Sequence, residues 1–128
     1  MPATLDHLVL KLRNEAAMIA FYTDILGLEA ERLEDYRNGQ APFPSIRINP
    51  TTLIDLFPTT LDAPVTPNLD HFCLTLDGES WAIVQQRLIE HGVEIDGPHM
   101  RWGALGDGKS IYVTDPDGNG VELKTHDD

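Results

Sequence analysis

The chain reads as an α+β protein in which one β-α-β-β-β module is written twice. Three observations carry that reading. LDHLVLKL at 5–12 returns as LDHFCLTL at 69–76, with five of eight residues unchanged. A helix-like stripe follows each copy and stops at a glycine, first Gly27 and then Gly92, 65 residues later. Three short strand candidates complete each half, and self-similarity at one fixed spacing marks a duplicated unit.

The first strand alternates: Leu8, Leu10 and Leu12 point one way, and His7, Val9 and Lys11 the other. Period two is the signature of a half-buried strand. Met18, Phe21, Tyr22 and Ile25 then fall on one helical face, with Asn14 as the expected N-cap. Strands follow at 30–33, 45–49 and 52–57, the last two joined by the turn Asn49-Pro50-Thr51. Residues 1–60 form module one. The segment 58–68, PTTLDAPVTPN, carries Pro58, Pro64 and Pro67 and reads as a stiff linker.

Module two spans 69–125 and repeats the order. Phe72, Leu74 and Leu76 oppose His71, Cys73 and Thr75; Trp81, Val84 and Leu88 make the helical stripe. Strands are expected at 93–95, 110–114 and 120–124, the last two joined by Asp115-Pro116-Asp117-Gly118-Asn119, a strong turn signal. Residues 99–110, HMRWGALGDGKS, read as a glycine-containing loop, either a plain connector or one able to move over a cleft.

At 128 residues and 14.2 kDa the chain has the size of one domain and can bury a core. A single cysteine, Cys73, excludes an internal disulfide and fits a reducing compartment. No basic leader or run of about 20 apolar residues is present, so the expected location is cytoplasmic and no membrane partner is expected. The formal charge of −12 repels phosphate backbones and argues against nucleic acid.

Following the alternation through every strand separates two faces. Ile46, Ile48, Ile54, Leu56, Ile111, Val113, Val121 and Leu123 make the greasy one. The other carries His7, Lys11, Arg47, Asn49, Asp55, His71, Cys73, Thr75, Ser110, Tyr112, Glu122 and Lys124. Water alone can account for a polar sheet face. Yet a histidine and a carboxylate recur at matched places: His7 and Asp55 are 48 residues apart, His71 and Glu122 51. If a pseudo-twofold axis relates the modules, the four can converge, and imidazole and carboxylate are ordinary ligands for Zn²⁺, Ni²⁺, Mn²⁺ or Fe²⁺.

DHLVL at 6–10, FYTDILGL at 21–28, LIDLF at 53–57, DHFCL at 70–74 and SIYVTDPDGNGVEL at 110–123 resemble the vicinal oxygen chelate superfamily, which holds glyoxalase I, extradiol dioxygenases and bleomycin-resistance proteins. The resemblance implies two βαβββ modules forming a U-shaped mixed-sheet cleft, and commonly a homodimer. It implies a divalent metal (Zn, Ni, Mn or Fe) held by His7, His71 and Glu122, with Asp55 at the position of a fourth ligand. It further implies a lyase or isomerase acting on a small carbonyl or hydroxy-acid substrate through a metal-stabilised enediolate. Glu122 is then the base, Asp55 its symmetric mate and Tyr112 an acid–base or donor group. An Fe²⁺ extradiol dioxygenase and a ligand-binding resistance protein without catalysis are the alternatives.

Two positions depart from the family pattern. Asp55 stands where Glu or Gln is common, and the missing methylene shortens its reach by about 1.5 Å. Lys11 stands where glyoxalase I typically has arginine, offering a point charge in place of a fork. Lys11, Arg47, Arg101 and Lys124 are the cations expected to hold an anionic part of the substrate. Cys73 reads as a small packing residue with no activating partner. His91 reads as a helix cap, His99 as a loop residue near the substrate, and His126 as part of a disordered acidic tail.

Overall fold

The computed structural model describes residues 5–59, 69, 71–103 and 105–127. The chain divides into two compact units, Met1–Asn68 and Leu69–Asp128. Most of the expected linker lies outside the described residues.

Unit one runs β1 (His7–Leu12), α1 (Glu15–Ala20), β2 (Glu29–Glu31), α2 (Leu33–Arg37), β3 (Ser45–Asn49) and β4 (Thr52–Pro58). Its sheet order is β1-β4-β3-β2, with β1 parallel to β4 and the other pairs antiparallel. Unit two runs β5 (His71–Thr75), α3 (Gly78–Glu90), β6 (Asp96–Gly103), β7 (Gly106–Thr114) and β8 (Gly120–Thr125). Its order, β5-β8-β7-β6, is the same arrangement: the first strand is parallel to the last, and the middle pairs are hairpins. Two four-stranded mixed sheets with few helices make this an α+β fold of the glyoxalase-like type.

The greasy face is the core. Leu10, Ile46, Ile54 and Leu56 in unit one, and Ile111, Val121 and Leu123 in unit two, are at most 1% exposed. The stripe Met18, Phe21, Tyr22 and Ile25 is buried too. Beyond Ala20, α1 widens into a π-helical turn over Phe21–Ile25, where Leu26 N–H reaches back to the Phe21 carbonyl at 3.0 Å. Gly27, at φ 76°, ends it as expected. Asn14 makes no side-chain cap bond; its backbone carbonyl instead accepts from Met18 N–H at 2.8 Å. On α3, Trp81, Val84 and Leu88 are buried, Trp81 Nε1 donates to the Leu123 carbonyl at 3.0 Å, and Asp77 caps the helix through Ser80 N–H.

Three expectations need correction. Residues 93–95 are not a strand; pairing begins at Asp96. The supposed glycine loop at 99–110 is mostly the β6–β7 hairpin, in which Met100 pairs with Lys109 and Trp102 with Asp107. Its apolar residues, Met100, Trp102 and Leu105, are exposed, so no buried alternation announced the strand. His126 is ordered against the hairpin, its Nδ1 at 3.0 Å from the Asp107 carbonyl.

Candidate metal and substrate site

The parallel strand pairs place each histidine beside its carboxylate. His7 pairs with Leu53, and Asp55 stands two residues further along β4. His71 pairs with Gly120, and Glu122 stands two residues further along β8. The two pairs therefore occupy the same register position in their modules, although they are 48 and 51 residues apart in sequence.

In unit two, His71 Nε2 lies 3.4 Å from Glu122 Oε1. Glu122 is 6% exposed and richly supplied with donors. Ser110 Oγ donates to its Oε2 at 2.7 Å, Lys124 Nζ stands 3.7 Å from the same oxygen, and Cys73 and Tyr112, its cross-strand neighbours, add weaker polar support for the anion. Burial pushes this carboxyl up, but the Ser110 bond, the Lys124 charge and the other donors together hold it below its ordinary range. It is an anion at neutral pH. Cys73 is exposed, yet partial burial and the neighbouring Glu122 charge push its thiol up to about 11 against the pull of Lys124. A protonated thiol is no nucleophile.

Unit one repeats the device with a shorter arm. Ser45 Oγ donates to Asp55 Oδ1 at 2.7 Å, and both residues are buried. His7 Nε2 lies 3.9 Å from Asp55 Oδ2. Asp6 Oδ2 bonds His7 Nδ1 at 2.6 Å. That bond raises the His7 pKa against a smaller effect of burial, and the Asp55 charge adds to it. It also fixes the proton on Nδ1 and leaves the Nε2 lone pair free, as an outer carboxylate does for a metal-bound histidine.

Two ligands bound about 2.0–2.2 Å from one ion, at angles from octahedral to tetrahedral, lie about 2.8–3.6 Å apart. His71 and Glu122 meet that spacing at 3.4 Å. His7 and Asp55, at 3.9 Å, fall outside it, in the direction the shorter aspartate arm requires. The donor chemistry fits a divalent cation. Among the described residues no three of His, Cys, Asp and Glu cluster closely enough to hold one within the structure as it stands. The donors come as two pairs, one per module.

The cations fare differently from one another. Lys11 is exposed on β1, on the His7 side of the strand. Arg47 is engaged by Glu31, with Nε to Oε1 at 2.7 Å and Nη2 to Oε2 at 2.9 Å, so an anion reaching it must displace a carboxylate. Arg101 is exposed on β6, its guanidinium 5.8 Å from the centre of the Tyr112 ring. Lys124 is not a solvated charge at all: it is 3% exposed, beside Glu122.

Tyr112 is the meeting point of unit two. Its ring lies 6.0 Å from that of His71 and 6.3 Å from that of His99. His99 Nε2 is held by Asp96 Oδ1 at 2.7 Å. A cavity of about 750 Å³ opens here, lined by His71, Asp96, Tyr112, Thr114 and neighbours. The Asp96–His99 pair escaped the sequence reading because it depends on the unforeseen hairpin. Ser45 and Ser110 were placed on the polar strand positions, but not as carboxylate donors. Their one visible signal was a serine ten or twelve residues before each acid.

Comparison with known proteins agrees with this fold. The family model described as Glyoxalase/Bleomycin resistance protein/Dioxygenase superfamily matches residues 4–123. The glyoxalase domain-containing protein RDO1 of Mycosarcoma maydis is 35% identical over 98% of this chain and 69% of its own length. Virulence protein STM3117 of Salmonella typhimurium is 31% identical over 95% of this chain and 83% of its own. The crystal structure of that protein superposes with a TM-score of 0.75, covering 98% of both chains. Catechol-2,3-dioxygenase of Bacillus subtilis is 29% identical over 89% of this chain, which spans only 38% of that protein. The duplicated module, its sheet order and the match along nearly its whole length show that this chain belongs to the glyoxalase/bleomycin resistance/dioxygenase superfamily, the vicinal oxygen chelate proteins.

Proposed function

We propose that the chain is a metal-dependent enzyme of this superfamily, a lyase or isomerase acting on a small carbonyl or hydroxy-acid compound. A divalent ion (Zn, Ni, Mn or Fe) would be held by His7, His71 and Glu122, with Asp55 as a weaker fourth donor. One observation carries the reading: a histidine and a buried, serine-bonded carboxylate recur at the same register position in both modules, and the second pair has the spacing of ligands on a common ion.

Bound there, the ion would draw electron density from a substrate oxygen and acidify the neighbouring carbon. The remaining work belongs to the protein. Glu122, held ionised, is a weak base and suits a proton already made acidic. It would accept that proton on a carboxylate oxygen and return it to the adjacent carbon. Tyr112, directly opposite Glu122 on the neighbouring strand, would give its hydroxyl proton to a developing oxyanion. Lys11, Arg47, Arg101 and Lys124 are the candidate cations for an anionic substrate group. A cytoplasmic homodimer, with no nucleic-acid or membrane partner, is the expected setting.

An Fe²⁺ extradiol dioxygenase is the second reading. Two histidines and one carboxylate suffice for it, and the 3.9 Å His7–Asp55 distance favours a three-ligand site. The Asp96–His99 pair near Tyr112 supplies the additional acid–base histidine that such chemistry calls for.

Metal analysis of the purified protein, with His7→Ala and His71→Ala beside it, tests the proposal. Near-stoichiometric metal in the native chain and sharp loss in both folded variants are expected. Unchanged stoichiometry in either variant defeats the ligand assignment. Absence of metal, together with no stabilisation by added Zn²⁺, Ni²⁺, Mn²⁺ or Fe²⁺, points to a non-catalytic binding protein. Oxygen uptake with a catechol selects the dioxygenase; solvent-proton exchange into a hydroxy-carbonyl compound selects the isomerase.

A further inference from the structure

A second cavity, about 270 Å³, opens beside His71 and is lined by Cys73, Thr75, Trp102, Glu122, Lys124 and His126. Two of its walls are unusual for their residue types. Lys124 is 3% exposed, and a buried ammonium is costly unless an anion compensates it. Trp102, which also lines the cavity, is 81% exposed, a large flat apolar surface left to solvent.

Among the described residues the one anion beside the Lys124 ammonium is Glu122, at 3.7 Å, beyond good hydrogen-bonding distance. Glu122 already accepts from Ser110 on the same oxygen that faces Lys124. If Glu122 also commits its charge to a bound cation, Lys124 loses most of its compensation. Thr75 lines the same space, and so does His126, whose Nδ1 is held 3.0 Å from the Asp107 carbonyl. On a chain of net charge −12, an anion needs such a local cation to be retained.

We propose that this cavity is a specificity pocket that binds the carboxylate of a small, planar organic acid on Lys124 and Thr75, with the body of the acid stacked on Trp102. The proposal rests on the metal reading, because commitment of Glu122 to the ion strengthens the site, and it narrows the substrate class to aryl or otherwise planar carboxylic acids. Lys124 is then a binding residue, distinct from the acid–base work of Glu122.

Benzoate and its uncharged match benzamide are the probes, titrated against tryptophan fluorescence in zinc-loaded and chelator-treated protein. Benzoate should bind about tenfold or more tightly than benzamide, as expected for a charge-assisted contact in a sheltered site. K124M should erase that preference while leaving benzamide affinity and zinc stoichiometry unchanged. K124Q, which keeps a polar head, should give the same result if the methionine variant does not fold. W102A, at an exposed position, should weaken both probes alike. Equal affinity for the two probes in the native chain, or a preference that survives K124M or K124Q, overturns the pocket even when zinc binds normally. If zinc does not bind, the metal reading fails by itself. The chelator-treated titration then decides the pocket, since a smaller benzoate preference that disappears in K124M is expected there too.

Discussion

Removing the Ser110 hydroxyl should cost stability in a way that depends on pH. Ser110 is fully buried and donates to Glu122 Oε2 at 2.7 Å. A buried hydrogen bond to a charged group contributes about 1.5–3 kcal/mol. Losing that donor, Ser110→Ala should move the folded-state Glu122 pKa upward. Glu122 sits below its ordinary value in the folded chain, so its contribution is present above the unfolded pKa and is lost as pH falls through the folded one. The deficit of Ser110→Ala should therefore be full at pH 7 and shrink as pH falls below the ordinary value of 4.5 and Glu122 is protonated in both states. Urea denaturation with chelator present, at neutral and acidic pH, measures this directly. A deficit of the same size at both pH values would mean that only packing was lost, and the electrostatic account of Glu122 would be wrong.

Ser45→Ala in module one should be destabilising for the same reason, by about 1–3 kcal/mol, because Asp55 loses its buried donor; denaturation midpoints check it. Glu122→Ala should strip bound metal more completely than Asp55→Ala, and equal losses by elemental analysis would make Asp55 a full ligand. Cys73 should alkylate slowly at pH 8 despite its exposure and accelerate as pH approaches its value of about 11. Glu122→Gln should speed that reaction at fixed pH by removing a nearby negative charge, and a rate indifferent to the change would contradict the assigned cause. Leu88→Ala, at a fully buried position on α3, should cost about 2–5 kcal/mol, measured by thermal or urea unfolding.

The parts of the fold legible in the sequence were those with a buried face. Leu8, Leu10 and Leu12 against His7, Val9 and Lys11, and the Met18–Phe21–Tyr22–Ile25 stripe, announce strand and helix because one side must avoid water. The turn at Asp115 was legible because its chemistry is local: the Asp115 carboxylate accepts from the N–H groups of Asp117 and Asn119. β6 was not legible. Its partner β7 is supplied by the hairpin, while Met100 and Trp102 face solvent and mark no core. The helix Leu33–Arg37 contributes no buried residue either, and follows Arg32 at φ 59°. The histidines and acids could be matched from the duplication, whereas their serine partners depend on register. Ser45 lies directly opposite Asp55, but Ser110 lies opposite Lys124 and reaches Glu122 diagonally.

In each module the histidine comes from the opening strand and the acid from the closing one, joined by parallel pairing. Such neighbours meet only after the intervening chain has gone out and returned. A half-made or clipped module consequently offers a lone imidazole and a distant carboxylate, and should take up ions no better than a loose peptide. Uptake of a cation would thus report that both ends of the module have closed.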